Sequence, residues 1–365
     1  MAAPDGAPER GGYRYPLYRR NERPLPPDWG GPIYLWDIDN TYLVTEWSGL
    51  RDLIRIRFEA AEDKRPVPGA VELLAGLRRA ADPDARPPVF FVSASPETMR
   101  GVLERRMLLD GVVQDGITFR NLRRLRYLRD IFGYKTAALL LYRLENPPGG
   151  RETLFGDDRE HDPEVYALYA RICAGAARGE VLREHLAQRG VGRAAAKYIE
   201  TLASELPERD PVEWIFIRRV APATPPAPLR LEDERIVLVD DFSQAAAVLR
   251  AQGRLERDDL LRVVGAVRAA GLGPDPGRAL ALPAVRARIA HAALDEIARE
   301  LAEATPAQEA AAAAGSPEAL VPRDEVEAAA EVATEAAART VRDEDRDEDR
   351  EEHPGPPRPA EEELE

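Results

Sequence analysis

The fold is best indicated by the stretch Ile33-Tyr34-Leu35-Trp36-Asp37-Ile38-Asp39-Asn40-Thr41. Here a short apolar run follows Gly31-Pro32 and ends in two aspartates. Such a run, bounded by turn residues, predicts a buried β-strand. Side chains at positions i and i+2 of an extended strand point the same way, so Asp37 and Asp39 can converge at its carboxyl end. Two close anions raise one another's pKa unless a charge compensates, and a divalent cation is one such charge.

Apolar runs of this kind alternate with helical patterns along the rest of the chain. We predict strands at 33–36, 89–92, 112–119, 152–155, 214–220 and 235–239. We predict helices at 70–80, 96–109, 136–144 and 163–174. This alternation indicates an α/β fold with a doubly wound, mostly parallel sheet. Functional sites of such sheets lie outside the carboxyl ends of the strands.

Composition divides the chain into four parts. Residues 1–28 are rich in Pro, Gly and Arg and are expected to form an irregular arm, followed by the α/β domain at 29–257 with a helical insert at 178–210. A helical extension is expected at 258–304, and an acidic, Ala/Glu-rich disordered tail at 305–365. The tail carries 19 Asp/Glu and six Arg, so it holds almost all of the net charge of −14. The acidity therefore says little about the substrate of the folded part.

Several classes of protein are disfavoured by the sequence. No run of about 18 apolar residues predicts a transmembrane helix. No apolar run follows Arg19-Arg20, which argues against an export signal. The single cysteine, Cys173, cannot form an internal disulfide and is expected in the core. We therefore expect a cytoplasmic protein.

Further polar residues follow the other predicted strands. Ser93 ends the second strand, and Asp157, Asp158 and Asp162 follow a later one. Lys135 lies between these two elements and is one of three lysines in the chain. Carboxylate oxygens are hard ligands that suit Mg²⁺, and a compact ammonium can neutralise phosphate or carboxylate. Asp158 has an alternative interpretation as a charge at a helix N-terminus.

The order of these motifs resembles that of the haloacid dehalogenase (HAD) superfamily. Asp37-x-Asp39-x-Thr41 resembles its first motif, Ser93 its second, Lys135 its third, and Gly156-Asp157-x-x-x-x-Asp162 its fourth. More narrowly, Ser93-Ala94-Ser95-Pro96 and Asp162-Pro163-Glu164-Val165-Tyr166 look like the catalytic domain of the actin-patch-protein type of phosphatidate phosphatase. The chain differs from that family in Asp158, where serine is frequent, in Asn40 and in the helical insert.

The resemblance implies a HAD-like Rossmannoid fold and a Mg²⁺-dependent phosphatase. It implies that Asp37 attacks phosphorus to form an aspartyl-phosphate and that Asp39 acts as acid and then as base. Ser93 and Lys135 would stabilise the phosphoryl oxygens. Mg²⁺ would bind Asp37, the backbone carbonyl of Asp39 and Asp157, while Asp162, with or without Asp158, would hold metal-bound water or Lys135.

The spacing of the motifs leaves no room for a large cap at either usual place, which favours a large phosphorylated substrate. A lipid phosphate such as phosphatidate is the leading substrate, with peripheral contact to a membrane. A protein or polynucleotide phosphatase, and a non-catalytic interaction protein, are the alternatives. The Arg-rich stretch 120–129 is either a solvated helix face or a dock for an anionic substrate. His161 is either a substrate contact or a loop residue, and Asp240-Asp241 is expected to cap a helix.

Overall fold

The fold is taken from a computed structural model. It describes residues 7–10, 13–21, 23–45, 64–80, 82, 85–121, 130–220, 233–271, 279–280 and 283–303. The strands are β1 (Glu9–Arg10), β2 (Tyr13–Arg14), β3 (Leu17–Asn21), β4 (Pro32–Asp37), β5 (Val89–Pro96), β6 (Gly116–Arg120), β7 (Arg151–Asp157), β8 (Val212–Arg218) and β9 (Ile236–Val239). The helices are α1 (Ala70–Leu77), α2 (Arg100–Leu109), α3 (Ile131–Glu145), α4 (Asp162–Cys173), α5 (Gly179–Gln188), α6 (Arg193–Glu205), α7 (Phe242–Ala251), α8 (Arg257–Ala269), α9 (Pro283–Arg286) and α10 (His291–Glu303).

Seven strands form one sheet in the order β3-β6-β5-β4-β7-β8-β9. Every neighbouring pair from β6 to β9 is parallel, and only β3 is antiparallel to its neighbour. The predicted α/β architecture with a doubly wound, mostly parallel sheet is therefore confirmed. In this order β4 lies between β5 and β7, which brings the carboxyl ends of these three strands together at one edge.

The central strand β4 is buried on both faces. Ile33 and Leu35 contact one hydrophobic core, formed with α3 to α6, while Tyr34 and Trp36 contact the other, formed with α1, α2, α7 and α8. This alternation follows from the period of two in a strand. It explains why the run is continuously apolar, since a parallel sheet is covered by helices on both faces.

The expectation of an irregular arm over 1–28 is wrong at β3. This strand pairs with β6, from Leu17 opposite Arg120 to Asn21 opposite Gly116, and so forms an edge of the main sheet. The prediction failed because the arginines and prolines of this segment mask the strand pattern. An edge strand can carry charged side chains, since one of its sides faces no further strand.

The helical insert consists of α5 and α6, and α6 packs on α3 and on β2. The C-terminal extension begins with α8, and α10 packs on α7 through the buried Ile297 and Leu301. The Arg-rich residues 122–129, most of the segment after the first motif, and the acidic tail lie outside the described residues. No helix in the described part of the chain is long and apolar enough to cross a membrane.

Candidate active site at the carboxyl edge of the sheet

Three buried carboxylates meet at the carboxyl edge of the sheet. Asp37 ends β4, Asp157 ends the neighbouring strand β7, and Asp162 begins α4. All three are 0% exposed, and one oxygen from each lies within 4.8 Å of the others. The structure thus brings together these three of the four predicted metal ligands.

The ammonium group of Lys135 bridges this cluster. Its Nζ donates to Asp37 Oδ1 at 2.8 Å and to Asp162 Oδ1 at 2.5 Å, and it lies 2.7 Å from Glu160 Oε2. Lys135 lies in the first turns of α3, whose N-cap, Asp130, accepts a hydrogen bond from the Gly133 amide at 2.9 Å. One ammonium group therefore contacts three carboxyl groups, with Asp157 beside them.

Burial governs the acidity of these groups. Burial raises the pKa of Asp37 well above its usual value. The nearby Lys135 opposes this rise, and the neighbouring carboxylates add to it. Burial, together with Asp162, raises the pKa of Asp157 to about 8. Burial alone would lower the pKa of Lys135, but Asp162, Asp37 and Glu160 raise it well above its usual value. These carboxyl groups therefore favour the charged form of Lys135, and further positive charge would stabilise the ionised form of the aspartates.

Two oxygens of the cluster have no hydrogen-bond partner among the described residues. These are Asp37 Oδ2 and Asp157 Oδ2, and both are buried. Asp162, by contrast, uses both oxygens, because Oδ1 accepts from Lys135 and Oδ2 accepts from the Asp157 amide at 3.3 Å. A buried polar atom without a partner is costly, so the two orphaned oxygens mark a position suited to a cation. Two ionisable oxygens on adjacent strand ends fit a hard divalent metal.

Asp39 lies beside the cluster, and its side chain is held by three hydroxyl groups. Thr45 Oγ1 donates to Asp39 Oδ1 at 3.0 Å, while Ser93 Oγ and Ser95 Oγ donate to Oδ2 at 3.3 and 3.2 Å. The ladder between β5 and β6 shifts register between Val92 and Pro96, so both serines lie in an irregular stretch that reaches Asp39. The carboxyl group of Asp39 is thus oriented separately from the acidic cluster.

Gly156 permits the close packing of β7 against α4. A Cβ atom at this position would lie 2.6 Å from Asp162 Oδ2 and 2.8 Å from Tyr166 Cε2. We expect Gly156→Ala to lower the free energy of unfolding by about 1–3 kcal/mol, the usual effect of overpacking a buried site. Denaturant unfolding of both proteins measures this, with Gly192→Ala as the control, since a Cβ there meets nothing within 4 Å. Equal stability of Gly156→Ala and the wild type would contradict the packing described.

Four residues near the site were missed by sequence reasoning. Glu160 contacts Lys135, Thr45 and Ser95 contact Asp39, and the hydroxyl of Tyr15 donates to Asp130 Oδ2 at 2.8 Å. The signal for Ser95 was present, since it lies two residues after Ser93. Nothing in the sequence marks Tyr15, because its partner at the N-cap of α3 is 115 positions away.

The other residues singled out in the sequence lie outside the cluster. Asp158 Oδ1 accepts from the Val220 amide at 2.8 Å, which ties the ends of β7 and β8 together. Asp241 caps α7 by accepting from the Ser243 amide, as predicted, and Cys173 is buried, also as predicted. His161 is exposed and its ring meets Phe132 edge-on, with centroids 6.1 Å apart.

The region of the chain that contains these residues has a counterpart among known proteins. Residues 34–184 match the family model described as phosphatidate phosphatase APP1, catalytic domain. The resemblance to the actin-patch-protein type is confirmed over this range. The match indicates a phosphatase, that is, a hydrolase of phosphoric monoesters.

The APP1-type region contains every residue of the acidic cluster, Lys135, Asp39 and Ser93. It ends within α5, so α6, β8 and β9 lie beyond it. Neither the curated proteins nor the solved structures contain a significant match to the chain.

Proposed function

We propose that the chain is a Mg²⁺-dependent phosphatase that hydrolyses phosphatidate or another lipid phosphate through an aspartyl-phosphate at Asp37. The observation that carries this proposal is the pairing of two orphaned, buried oxygens, on Asp37 and Asp157, beside the Lys135 ammonium. The family match at 34–184 supports the phosphatase class, and the description of that family as a phosphatidate phosphatase supports the lipid substrate.

Asp37 and Asp157 are the direct metal ligands in this proposal, together with the backbone carbonyl of Asp39. Asp162 would orient the site, because its two oxygens are engaged by Lys135 and by the Asp157 amide. When bound, Mg²⁺ would supply charge that stabilises the phosphoryl oxygens and offsets repulsion between the carboxylates. The raised pKa values of Asp37 and Asp157 support this assignment, since both groups are buried with too little positive charge nearby.

Asp37 would act as the nucleophile. A carboxylate oxygen of Asp37 bonds to phosphorus while the bond from phosphorus to the ester oxygen breaks. Lys135 fixes the side chain through its hydrogen bond to Asp37 Oδ1 at 2.8 Å. The same ammonium and the Ser93 hydroxyl would stabilise negative charge on the transferring group, which is the main contribution to catalysis of phosphoryl transfer.

Asp39 would act as the general acid and then as the general base. Its proton passes to the departing alkoxide, and the resulting carboxylate then takes a proton from the water that attacks the aspartyl-phosphate. Burial raises the pKa of Asp39, and this favours the protonated form that the first step needs. The hydroxyls of Thr45, Ser93 and Ser95 hold the carboxyl group in one orientation for both steps.

A substrate panel tests this function. With Mg²⁺, we expect phosphate release from p-nitrophenyl phosphate and, at higher kcat/KM, from phosphatidate in mixed vesicles. EDTA should abolish both activities, and added Mg²⁺ should restore them. Asp157→Asn should lower activity by at least about 100-fold, as expected for the loss of a group that organises transition-state charge.

The matched control is Asp240→Asn, which alters an aspartate after β9 that is ion-paired with Arg219, outside the cluster. Its activity should equal that of the wild type. Faster turnover of a phosphopeptide or of phosphorylated DNA ends than of phosphatidate would contradict the lipid assignment. Absence of hydrolysis of every ester would contradict the phosphatase itself.

A further inference from the structure

The turn that follows the nucleophile strand has an unfavourable backbone conformation. Asn40 has a φ of 56°, the only non-glycine residue with a positive φ in the part of the chain that the structure describes. Asparagine tolerates this left-handed region better than most residues, but the conformation still costs energy. Such conformations persist when surrounding contacts determine them, and they are frequent at active sites. The residue before Asn40 is Asp39, so this turn sets where Asp39 lies.

One contact that holds this turn comes from Arg218. Its Nη1 donates to the backbone carbonyl oxygen of Asn40 at 2.8 Å, although 178 positions separate the two residues. Arg218 ends β8, and the strand order β4-β7-β8 means that its side chain reaches across the end of β7. A hydrogen bond from a charged donor is roughly twice as strong as one between neutral groups.

The end of β8 is itself fixed relative to β7. The Asp158 amide donates to the Arg218 carbonyl oxygen at 3.1 Å, and Asp158 Oδ1 accepts from the Val220 amide at 2.8 Å. The guanidinium therefore starts from an anchored backbone. Its bond to Asn40 is its only hydrogen bond to any described residue, and it forms no ion pair within that set. Burial lowers the pKa of Arg218, and three carboxyl groups lie near enough to oppose this larger effect in part, those of Asp157, Asp158 and Asp241. The group that the guanidinium contacts directly is nevertheless the Asn40 carbonyl.

We propose that Arg218 is a positioning residue for Asp39, which it holds against the scissile ester by fixing the Asn40 turn. This inference rests on the proposed function, because it assigns Arg218 to the acid step of that reaction. The hydroxyls of Thr45, Ser93 and Ser95 orient the end of the Asp39 side chain, and Arg218 fixes the backbone behind it. Arg218 lies beyond the range 34–184 of the family match.

The test compares esters whose leaving groups differ in their need for an acid. An alkoxide must be protonated as it departs, whereas p-nitrophenolate is stable without a proton. Misplacing Asp39 should therefore lower kcat/KM for an alkyl phosphate much more than for p-nitrophenyl phosphate. For Arg218→Met we expect a loss of about 10- to 100-fold with the alkyl ester, part of the usual contribution of general acid catalysis. With the aryl ester we expect a much smaller loss.

Two variants keep the comparison interpretable. Arg218→Lys retains the charge and one reaching donor, so its loss with the alkyl ester should lie between wild type and Arg218→Met. Arg219→Met is the matched control, because Arg219 is the next residue along the chain but its guanidinium pairs with Asp240, outside the cluster. This variant should hydrolyse both esters as fast as the wild type. If Arg218→Met fails to fold, the ratio of the two esters in Arg218→Lys decides the question.

Equal losses with the two esters in Arg218→Met and Arg218→Lys, or no loss with the alkyl ester in Arg218→Met, would overturn the role of Arg218. If the wild type hydrolyses the esters, either result leaves the proposed phosphatase function unaffected. A wild-type protein that hydrolyses neither ester contradicts the proposed function instead.

Discussion

Replacing Asp37 with asparagine is expected to lower kcat by at least about 10⁴-fold, the scale found when a catalytic nucleophile is removed. Asparagine has nearly the same shape, but its amide is a poor nucleophile and cannot form the acyl phosphate. It also offers no anionic oxygen to a cation. Phosphate release from p-nitrophenyl phosphate in the presence of Mg²⁺ measures this effect.

The same variant should remain folded. Burial of the Asp37 carboxylate is unfavourable, as its raised pKa shows, and asparagine removes that charge while its carbonyl can still accept from Lys135. Thermal unfolding of Asp37→Asn and the wild type provides the control. A folded Asp37→Asn protein with kcat within about tenfold of the wild type would remove Asp37 as the nucleophile.

Replacing Lys135 with methionine is expected to impair both stability and turnover. The ammonium is 1% exposed and lies between Asp37 and Asp162, so its loss leaves buried carboxylates without their counter-charge. Breaking a buried ion pair by removing one partner typically costs about 3–5 kcal/mol. Urea unfolding without metal should show a loss of this size, and turnover should fall because charge on the phosphoryl oxygens is less stabilised.

Added Mg²⁺ should restore part of the lost stability of Lys135→Met, since a bound cation compensates the same carboxylates and binds only the folded state. Lys197→Met is the matched control, because this lysine lies on an exposed face of α6 and its loss should change neither property. If Lys135→Met were as stable and as active as Lys197→Met, the bridging role of Lys135 would be wrong.

The sequence predicted the site as far as strand ends determine it. Asp37 and Asp157 each end a parallel strand, so the alternation of strands and helices predicts that both lie at the carboxyl edge of the sheet. That their strands are neighbours comes from the strand order. The position of Lys135 could be assigned only by resemblance, because its distance from Asp37 depends on how α3 crosses the sheet. The geometry also separates the roles of two aspartates. Both side-chain oxygens of Asp162 accept hydrogen bonds, whereas Asp157 Oδ2 accepts none from the described residues.

Contacts between distant parts of the chain could not be predicted. Arg218 and Asn40 meet because β8 lies two strands from β4, an order that no local pattern specifies. Strand β3 was missed because its charged residues follow no period of two, and its pairing with β6 is what places it in the sheet. Glu160 carries no motif, and its contact with Lys135 depends on the path of the loop after β7.

The formation of a covalent phosphoenzyme tests the central claim most directly. Protein incubated with Mg²⁺ and a radiolabelled aryl phosphate, then quenched in acid, should retain label that hydroxylamine removes, as an acyl phosphate does. The label should be greater in Asp39→Asn, which lacks the base that hydrolyses the intermediate, and absent in Asp37→Asn. Label that persists in Asp37→Asn would contradict the account. So would phosphate release by the wild type when neither the wild type nor Asp39→Asn retains label.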